Sequence, residues 1–290
     1  MIAHAILGPG ARDSDLRLLR STGLTIHASR AFTSIDDVSL FIVLGGDGTI
    51  HRFLPELARS SKPVLVVPCG SGNDLARALG IRSAAAATTL ARDFVNGNAA
   101  IRQIDIGIIT DSAGKETPFC CTAGIGLDAA AGEFANRMPR WLRARGGYLI
   151  AAMNGILMNP KLELTLTAGD VGLAERIEQA ACLFTIANTP SFGGGLRIAP
   201  DASLDDSQFD CILAEAMTKT RLARASLSLL RGTHLGLPEV HFMRMTSVRI
   251  KSSPPANIYA DGEFVCETSC EVRIAAGALR VLSLGTGSSK

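Results

Sequence analysis

The sequence lacks a large net charge of either sign, and it lacks a hydrophobic run that could span a membrane. Its 29 basic and 27 acidic side chains nearly cancel, so composition does not indicate a nucleic-acid-binding protein. Two uncharged stretches, 146–160 and 179–196, are too short or are interrupted by proline and glycine, so no transmembrane helix is expected. No basic region precedes the short apolar run at the N terminus, which argues against a secretory signal. With 47% apolar residues, the chain is expected to be globular and cytoplasmic.

Cysteine spacing typical of a metal site or a redox motif is also missing. The seven cysteines are an odd number and include no CxxC pair. Cys120, Cys121, Cys182 and Cys211 lie in apolar runs, which predicts small buried side chains. Reduced thiols in a cytoplasm are therefore expected.

No glycine is followed by Lys-Ser or Lys-Thr, which excludes an ordinary P-loop. The chain instead has the segment Gly45–Thr49 (GGDGT) directly after the apolar run 40–44. That run predicts a buried strand, and the glycines allow the backbone to approach phosphate while the aspartate handles a cation. A plain strand-to-helix turn is the alternative, because glycine and aspartate are common turn residues.

Strand-like and helix-like segments alternate through the first hundred residues. The predicted strands are 3–7, 24–28, 40–44 and 63–68, and the predicted helices are 12–21, 50–59, one starting at 75, and 83–96. A second glycine loop, Gly70–Asp74, follows the last of these strands. This alternation predicts a parallel sheet that binds ligands at the carboxyl ends of its strands.

The pattern changes from residue 104 onward, where short strand-like segments are separated by turn residues. Two helical stretches, 132–158 and 220–230, interrupt this part. We therefore predict an α/β + β protein: an N-terminal α/β nucleotide-binding domain with a parallel sheet, and a C-terminal β-rich, sandwich-like domain. The predicted boundaries are 1–106 and 107–282, with a tail at 283–290 that returns to the first domain.

Three acids follow or lie within the strands of the first domain: Asp47, Asp74 and Asp105. Carboxylates that converge from one sheet edge could hold Mg²⁺ directly or through its waters. For Asp105, flanked by apolar residues, a capping or ion-paired role is an equal alternative.

The segment Gly124–Ala129 fits the pattern G-x-G-x-x-A of a dinucleotide site. Such a site needs an acid about 20 residues further on, where this chain has Arg143 and Arg145. We therefore reject a dinucleotide site here.

Near the C terminus, Asp261 and Glu263 flank Gly262. On a strand the two acids would share a face, and Asp261 could accept a proton from an attacking hydroxyl while Glu263 tunes it. A D-G hairpin turn is the alternative, and the spacing alone favours it.

Motifs along nearly the whole chain resemble the diacylglycerol/sphingosine-type lipid kinases, close to the soluble bacterial diacylglycerol kinases. The first loop is shared with NAD kinases and phosphofructokinases, whereas the other motifs are more specific. The segments that carry the resemblance are Gly45–Thr49, Pro68–Arg77, Ile104–Gly107, Ala123–Ala129, Asn188 with Phe192–Gly195, Ala199–Ala202 and Asp261–Glu263.

The resemblance implies ATP as phosphoryl donor, Mg²⁺ as cofactor, and an active site in the cleft between an α/β domain and a β-rich domain. Asp261 would be the general base and Glu263 its partner. The implied nucleotide-binding residues are Gly45, Gly46, Asp47, Gly48, Thr49, Gly70, Ser71, Gly72 and Asn73. The implied metal-binding residues are Asp47, Asp74 and Asp105, together with Asp206 at a second, structural Mg²⁺.

This chain departs from the family pattern at several positions. Gly8-Pro9 stands where an Asn-Pro pair is usual, and His51-Arg52 stands where an Asn-Glu pair is usual. Ser207 replaces a usual glycine near Asp206. His51 could be a catalytic base or a solvated histidine at the start of a helix. We favour the solvated histidine.

A lipid substrate implies contact with a membrane surface. The stretch 136–145 combines four arginines with the only tryptophan, which is typical of peripheral contact with an anionic surface, although a solvated helix start is slightly favoured. The sequence thus predicts a cytoplasmic kinase that phosphorylates a neutral lipid, first diacylglycerol, at the inner membrane face. The sequence does not decide whether the protein forms a homodimer. The alternatives are a NAD kinase-like enzyme and a family member that binds lipid or nucleotide without catalysis.

Overall fold

A computed structural model describes residues 1–32, 37–137, 154–169 and 175–284. The chain divides into two compact units. The first contains Met1–Asp105 and the stretch that starts at Ala276, and the second contains Ile106–Ala275. No helix in the described ranges has the length and apolarity needed to cross a bilayer.

The first unit contains a parallel sheet with the strand order β4–β3–β1–β2. Val281, near the end of β15, pairs in parallel with Val64 of β4. Strands β1, β3 and β4 consist almost entirely of buried apolar residues, as parallel strands covered on both faces require. The strands are β1 (Ile2–Leu7), β2 (Thr25–Ser29), β3 (Val38–Gly45), β4 (Val64–Pro68) and β15 (Cys270–Leu282).

Four helices accompany this sheet, and the second begins three residues earlier than predicted. Asp47 is its first residue, and Gly46 before it is extended, with φ −103°. An acid in the first turn stabilises the positive end of the helix dipole, so the helix starts inside the glycine loop. The helices are α1 (Asp13–Arg20), α2 (Asp47–Ser60), α3 (Asp74–Ala78) and α4 (Ala84–Val95).

The second unit is built mainly from antiparallel strands, which confirms the predicted fold class. Strand β9 lies at its centre, because residues 183–187 pair with β7 on one side and with β10 on the other. The sequence-ordered strands are β5 (Ile101–Thr110), which begins in the first unit, β6 (Glu116–Phe119), β7 (Thr122–Gly126), β8 (Leu162–Ala168), β9 (Glu175–Ala187), β10 (Phe209–Glu215), β11 (Val240–Met245), β12 (Ser247–Ser253), β13 (Asn257–Ala260) and β14 (Glu263–Glu267).

The two faces of this sheet bury different partners. Phe184 and Ile186 of β9 point into a core formed by the strands themselves. Leu183, on the opposite face, packs in a cluster with Leu127 and Leu222, which belong to α5 (Leu127–Arg137) and α6 (Lys219–Leu230). The alternation along β9 therefore separates a sandwich core from a helix-covered outer face.

The predicted helix 132–158 is described only at its ends, by α5 and by a helical turn at 154–158. Of the basic and aromatic stretch 136–145, residues 138–145 lie outside the described residues. All seven cysteines lie within them and are free thiols, and the four predicted to be buried are buried.

Candidate active site

The two glycine loops follow the adjacent parallel strands β3 and β4 and meet backbone to backbone. Gly45 pairs with Pro68, and the N–H of Cys69 donates to the carbonyl oxygen of Gly45 at 3.0 Å. A Cβ atom on Gly70 would lie 2.4 Å from the Cα atom of Gly46, so a side chain there would push the two loops apart. Because these glycines have no side chains, the two loops can pack closely against each other.

The carboxylate of Asp47 joins the first loop to the second. Its Oδ2 accepts the N–H of Asp74 at 3.0 Å, and its Oδ1 accepts the N–H of Leu75 at 3.1 Å. These are first-turn N–H groups of α3, which have no partner within the helix. Asp47 therefore caps a helix that belongs to another segment of the chain.

Asn73 closes the second loop on itself. Its Oδ1 accepts the N–H of Gly70 and its Nδ2 donates to the carbonyl oxygen of Gly70, both at 2.8 Å. Asn73 has φ 56°, a left-handed conformation that asparagine tolerates better than most residues. Gly70 and Ser71, at the tip of this loop, are exposed.

At Gly8, a side chain would require the neighbouring Thr49 side chain to shift. A Cβ atom on Gly8 would lie 2.5 Å from Oγ1 of Thr49. Behind the first loop, the guanidinium of Arg52 lies 5.2 Å from the ring centroid of Phe53.

The other two acids of the first unit also have protein partners. Asp74 forms an ion pair with Arg77, which also donates to the carbonyl oxygen of Gly72 at 3.1 Å. Asp105, which is 2% exposed, accepts the N–H of Gly277 at 2.7 Å. Carboxylates suit Mg²⁺, but within the described ranges no three His, Cys, Asp or Glu side chains are grouped as a metal site requires.

At the position of the second implied Mg²⁺, Oδ1 of Asp206 accepts the N–H of Gln208 at 3.1 Å. Nearby, the buried Asp210 accepts from Nε of Arg244 at 2.8 Å. Burial raises the pKa of Asp210, and the negative charges of Asp206 and Asp201 add to this, while Arg244 opposes it. An arginine thus supplies positive charge to this acidic loop.

In the second unit, Asp261 and Gly262 form the two-residue turn between β13 and β14, in which Ala260 pairs with Glu263. Both turn residues have positive φ, 50° and 86°, as a type I′ hairpin requires. The two acids therefore do not share the face of one strand, and the segment forms the D-G hairpin turn that its spacing favoured. Glu263 is exposed at the start of β14.

Three consecutive main-chain N–H groups donate to the Asp261 carboxylate. They belong to Cys120 (2.9 Å), Cys121 (2.8 Å) and Thr122 (3.3 Å). The side chain of Asn188 supports this segment, because its Nδ2 donates to the carbonyl oxygen of Cys120 at 2.9 Å. Asp261 is thus held in one orientation by backbone that is about 140 residues away in sequence.

Asp128, in the segment that we rejected as a dinucleotide site, is a candidate that the sequence analysis missed. It lies in the first turn of α5, and its Oδ2 accepts from Thr185 Oγ1 at 3.0 Å. It packs on Gly124, which pairs with Tyr259 two residues before Asp261. Burial raises the pKa of Asp128 to about 6, although the bond from Thr185 opposes this. Strongly shifted carboxyl groups concentrate at functional sites.

An apolar cavity of about 110 Å³ lies on the helix-covered outer face of this sheet. Leu127 of α5, Leu222 and Leu229 of α6, and Leu183 of β9 contribute to its wall. His234 also contributes, and burial lowers its pKa, which keeps the ring uncharged. An apolar wall of this kind suits hydrocarbon better than water.

Two family models match the chain. The "Diacylglycerol kinase catalytic domain" matches residues 13–109, and the "YegS C-terminal NAD kinase beta sandwich-like domain" matches residues 121–283. A diacylglycerol kinase of Mycobacterium tuberculosis (strain ATCC 25618 / H37Rv) is 34% identical over 243 residues, which cover 83% of this chain and 75% of the relative. One of Bacillus subtilis (strain 168) is 30% identical over 247 residues, with 83% and 76% covered.

Solved structures with a similar fold include a diacylglycerol kinase from Bacillus anthracis str. Sterne, with a TM-score of 0.67, 17% identity, and 97% of this chain and 96% of that chain covered. An NAD kinase from Archaeoglobus fulgidus in complex with ATP has a TM-score of 0.54 and 14% identity, with 99% and 94% covered. At these identities the likeness shows the fold alone.

We predict that Asp47→Ala lowers the free energy of unfolding by about 1 kcal/mol, because it removes the acceptor that caps α3. The variant Asp47→Asn keeps one carbonyl oxygen as an acceptor, so its free energy of unfolding should fall less. Asp13→Ala is the matched control, since Asp13 is an exposed acid in the first turn of α1, and it should change stability by less than about 0.5 kcal/mol. Urea denaturation measures all three. Equal losses for Asp47→Ala and Asp13→Ala would contradict the capping role.

We also predict that Asp128→Asn stabilises the protein at neutral and higher pH. Because the folded-state pKa of about 6 lies above the usual value of 3.8, the native state holds more protons between them, and the stability of the wild type falls as pH rises through this window. At pH 8 the variant should be more stable by up to roughly 2–3 kcal/mol, and the difference should vanish below about pH 4. Denaturation curves at several pH values measure this. Parallel pH profiles of variant and wild type would show that the pKa of Asp128 is not raised.

Proposed function

The chain belongs to the diacylglycerol kinase family and is a lipid kinase, and from this premise we propose that it transfers the γ-phosphate of ATP to a hydroxyl of diacylglycerol. The proposal that ATP is the phosphoryl donor rests on the pair of glycine loops at the carboxyl ends of β3 and β4. Both loops lie at the carboxyl ends of adjacent parallel strands, where α/β sheets bind phosphate groups.

The proposed nucleotide site uses these loops as a preformed surface. Asp47 and Asn73 fix the two loops before any ligand binds, so little conformational entropy is lost when the phosphates dock. Thr49 and Ser71 supply hydroxyl groups next to the glycines. Asp47, Asp74 and Asp105 would hold Mg²⁺ directly or through its waters, and the ion would supply positive charge for the transferred phosphoryl group.

Asp261 is proposed to accept the proton of the lipid hydroxyl, with Glu263 as its partner. A general base is effective only when it is held in a defined position, and three main-chain N–H groups hold this carboxylate. Asp261 therefore has the anchoring that a base in phosphoryl transfer needs.

The apolar cavity supports a lipid rather than a soluble acceptor. Its wall is formed mainly by apolar side chains, and it lies in the same unit as Asp261. Part of an acyl chain would fill this space and gain the free energy of apolar burial. A soluble dinucleotide would find few polar partners there.

Transfer of labelled phosphate from γ-labelled ATP to lipids in mixed micelles tests the proposal. Diacylglycerol, ceramide and sphingosine are offered in separate reactions, and NAD is offered as a soluble acceptor. Label in diacylglycerol that requires added Mg²⁺ is the expected result. Label in NAD alone would favour an NAD kinase-like enzyme, and nucleotide binding without any transfer would favour a family member that binds without catalysis.

We predict that Asp261→Asn lowers kcat by about 10²-fold or more, since a positioned general base typically contributes 10²–10⁴-fold. ATP affinity, measured by calorimetry, should change little. Asp13→Asn in α1 is the matched control and should leave kcat unchanged.

Because an amide at position 261 places an NH₂ group against main-chain donors, circular dichroism must show that Asp261→Asn is folded. Glu263→Gln, at an exposed position, is the second variant and should reduce kcat less than Asp261→Asn. Full activity of a folded Asp261→Asn variant would remove Asp261 from the role of base.

A further inference from the structure

Helix α6 has an unusual distribution of charge. No acidic residue occurs between Glu215 and Glu239, although the chain has 27 acids in 290 residues. Within this interval lie four basic residues, Lys219, Arg221, Arg224 and Arg231. Arg221 pairs with Glu239 at 2.7 Å, whereas no described carboxylate is within ion-pair distance of the other three. The surface around α6 is therefore positively charged.

One exposed stripe of α6 is apolar, although a globular protein usually has polar residues on the exposed part of a helix. Ala223, Leu227 and Leu230 are spaced i, i+4, i+7 and lie on one side of the helix. Leu227 is 54% exposed and Leu230 is 53% exposed. Leu222 and Leu229, which line the apolar cavity, lie roughly a third of a turn away from this stripe. The helix thus has an exposed apolar stripe beside the one that lines the cavity.

Two further exposed apolar side chains lie next to the start of α6. Leu157 is 66% exposed and Met158 is 70% exposed. The following residue, Asn159, donates through Nδ2 to the carbonyl oxygen of Met217 at 3.2 Å, two residues before α6 begins. Four of the ten large apolar side chains that are exposed in the described ranges thus lie on α6 or in the segment whose Asn159 contacts the start of that helix. We call Leu157, Met158, Leu227, Leu230 and the cations Lys219, Arg224 and Arg231 the α6 patch.

We propose that the α6 patch docks the protein on an anionic lipid bilayer. Exposed leucines bordered by cations, with no acid among them, match the chemistry of a bilayer interface, where acyl chains lie beneath negatively charged head groups. A hydrophobic face of a protein partner would explain the leucines but not the cations. The exposed carboxylates of an acidic protein would explain the cations but not the leucines.

Docking in this orientation has a consequence for the cavity. The same helix forms part of its wall, so the cavity lies about one helix diameter, ~10 Å, from the bilayer. A lipid chain would then move only a short distance through apolar surroundings. This consequence rests on the proposed lipid kinase function, whereas the docking surface itself does not.

Sedimentation with sucrose-loaded vesicles tests the proposal without measuring catalysis. Vesicles contain phosphatidylcholine alone, or phosphatidylcholine with a third phosphatidylglycerol. The wild type should bind the anionic vesicles more strongly, and added salt should weaken that binding. The variant Leu227→Gln with Leu230→Gln should bind about tenfold more weakly, since it removes the apolar contribution. The double variant Arg224→Gln with Arg231→Gln should bind anionic vesicles about fivefold more weakly for each charge removed.

The matched control is Leu18→Gln with Arg20→Gln, an exposed leucine and arginine on α1 in the first unit, and it should bind vesicles like the wild type. Vesicle binding that is absent, insensitive to anionic lipid, or equally strong in the α6 variants would overturn the proposal. So would a dimer of the wild type that the leucine variant converts to a monomer without loss of vesicle binding. Wild-type protein that binds vesicles but transfers no phosphate would leave the docking surface intact and refute the proposed function.

Discussion

The contact between the two glycine loops is the constraint on which the proposed nucleotide site depends. Gly46 and Gly70 approach so closely that neither accepts a side chain. This contact fixes the spacing of two chain segments that leave the sheet on neighbouring strands, β3 and β4. Asp47 then reaches across to α3, and Asn73 closes the second loop. Close backbone packing comes first, and the side chains preserve it.

Several of the candidate functional acids, in either unit, accept bonds from main-chain N–H groups. Asp47 binds the start of α3, Asp105 binds Gly277, and Asp261 binds the segment 120–122. Each bond joins parts of one unit that are separated in sequence, so these carboxylates stabilise the structure of their own unit whatever chemistry they perform. A change of activity in a variant of one of them must therefore be separated from a change of stability.

Features that depend on neighbouring residues could be predicted from the sequence, whereas features that depend on residues far along the chain could not. The buried strands before both loops are continuous apolar runs, and the turn at Asp261-Gly262 is a two-residue signal, so all were within reach of local patterns. The partners of Asp261 were not, because main-chain N–H groups carry no residue identity and lie about 140 positions away. Asp128 was missed for a related reason. Its environment is created by Thr185 and Gly124, and the glycine spacing had suggested another type of site.

The central claim is that the two loops form the nucleotide site of a lipid kinase, and hydrogen exchange of the main-chain amides tests it most directly. Exchange is followed by mass spectrometry with and without ATP and Mg²⁺, at ligand concentrations well above the dissociation constant. The account predicts that ATP slows exchange in the peptides that contain Gly45–Thr49 and Gly70–Asp74. Protection that is confined to the second unit, or no protection although ATP is bound, would contradict it.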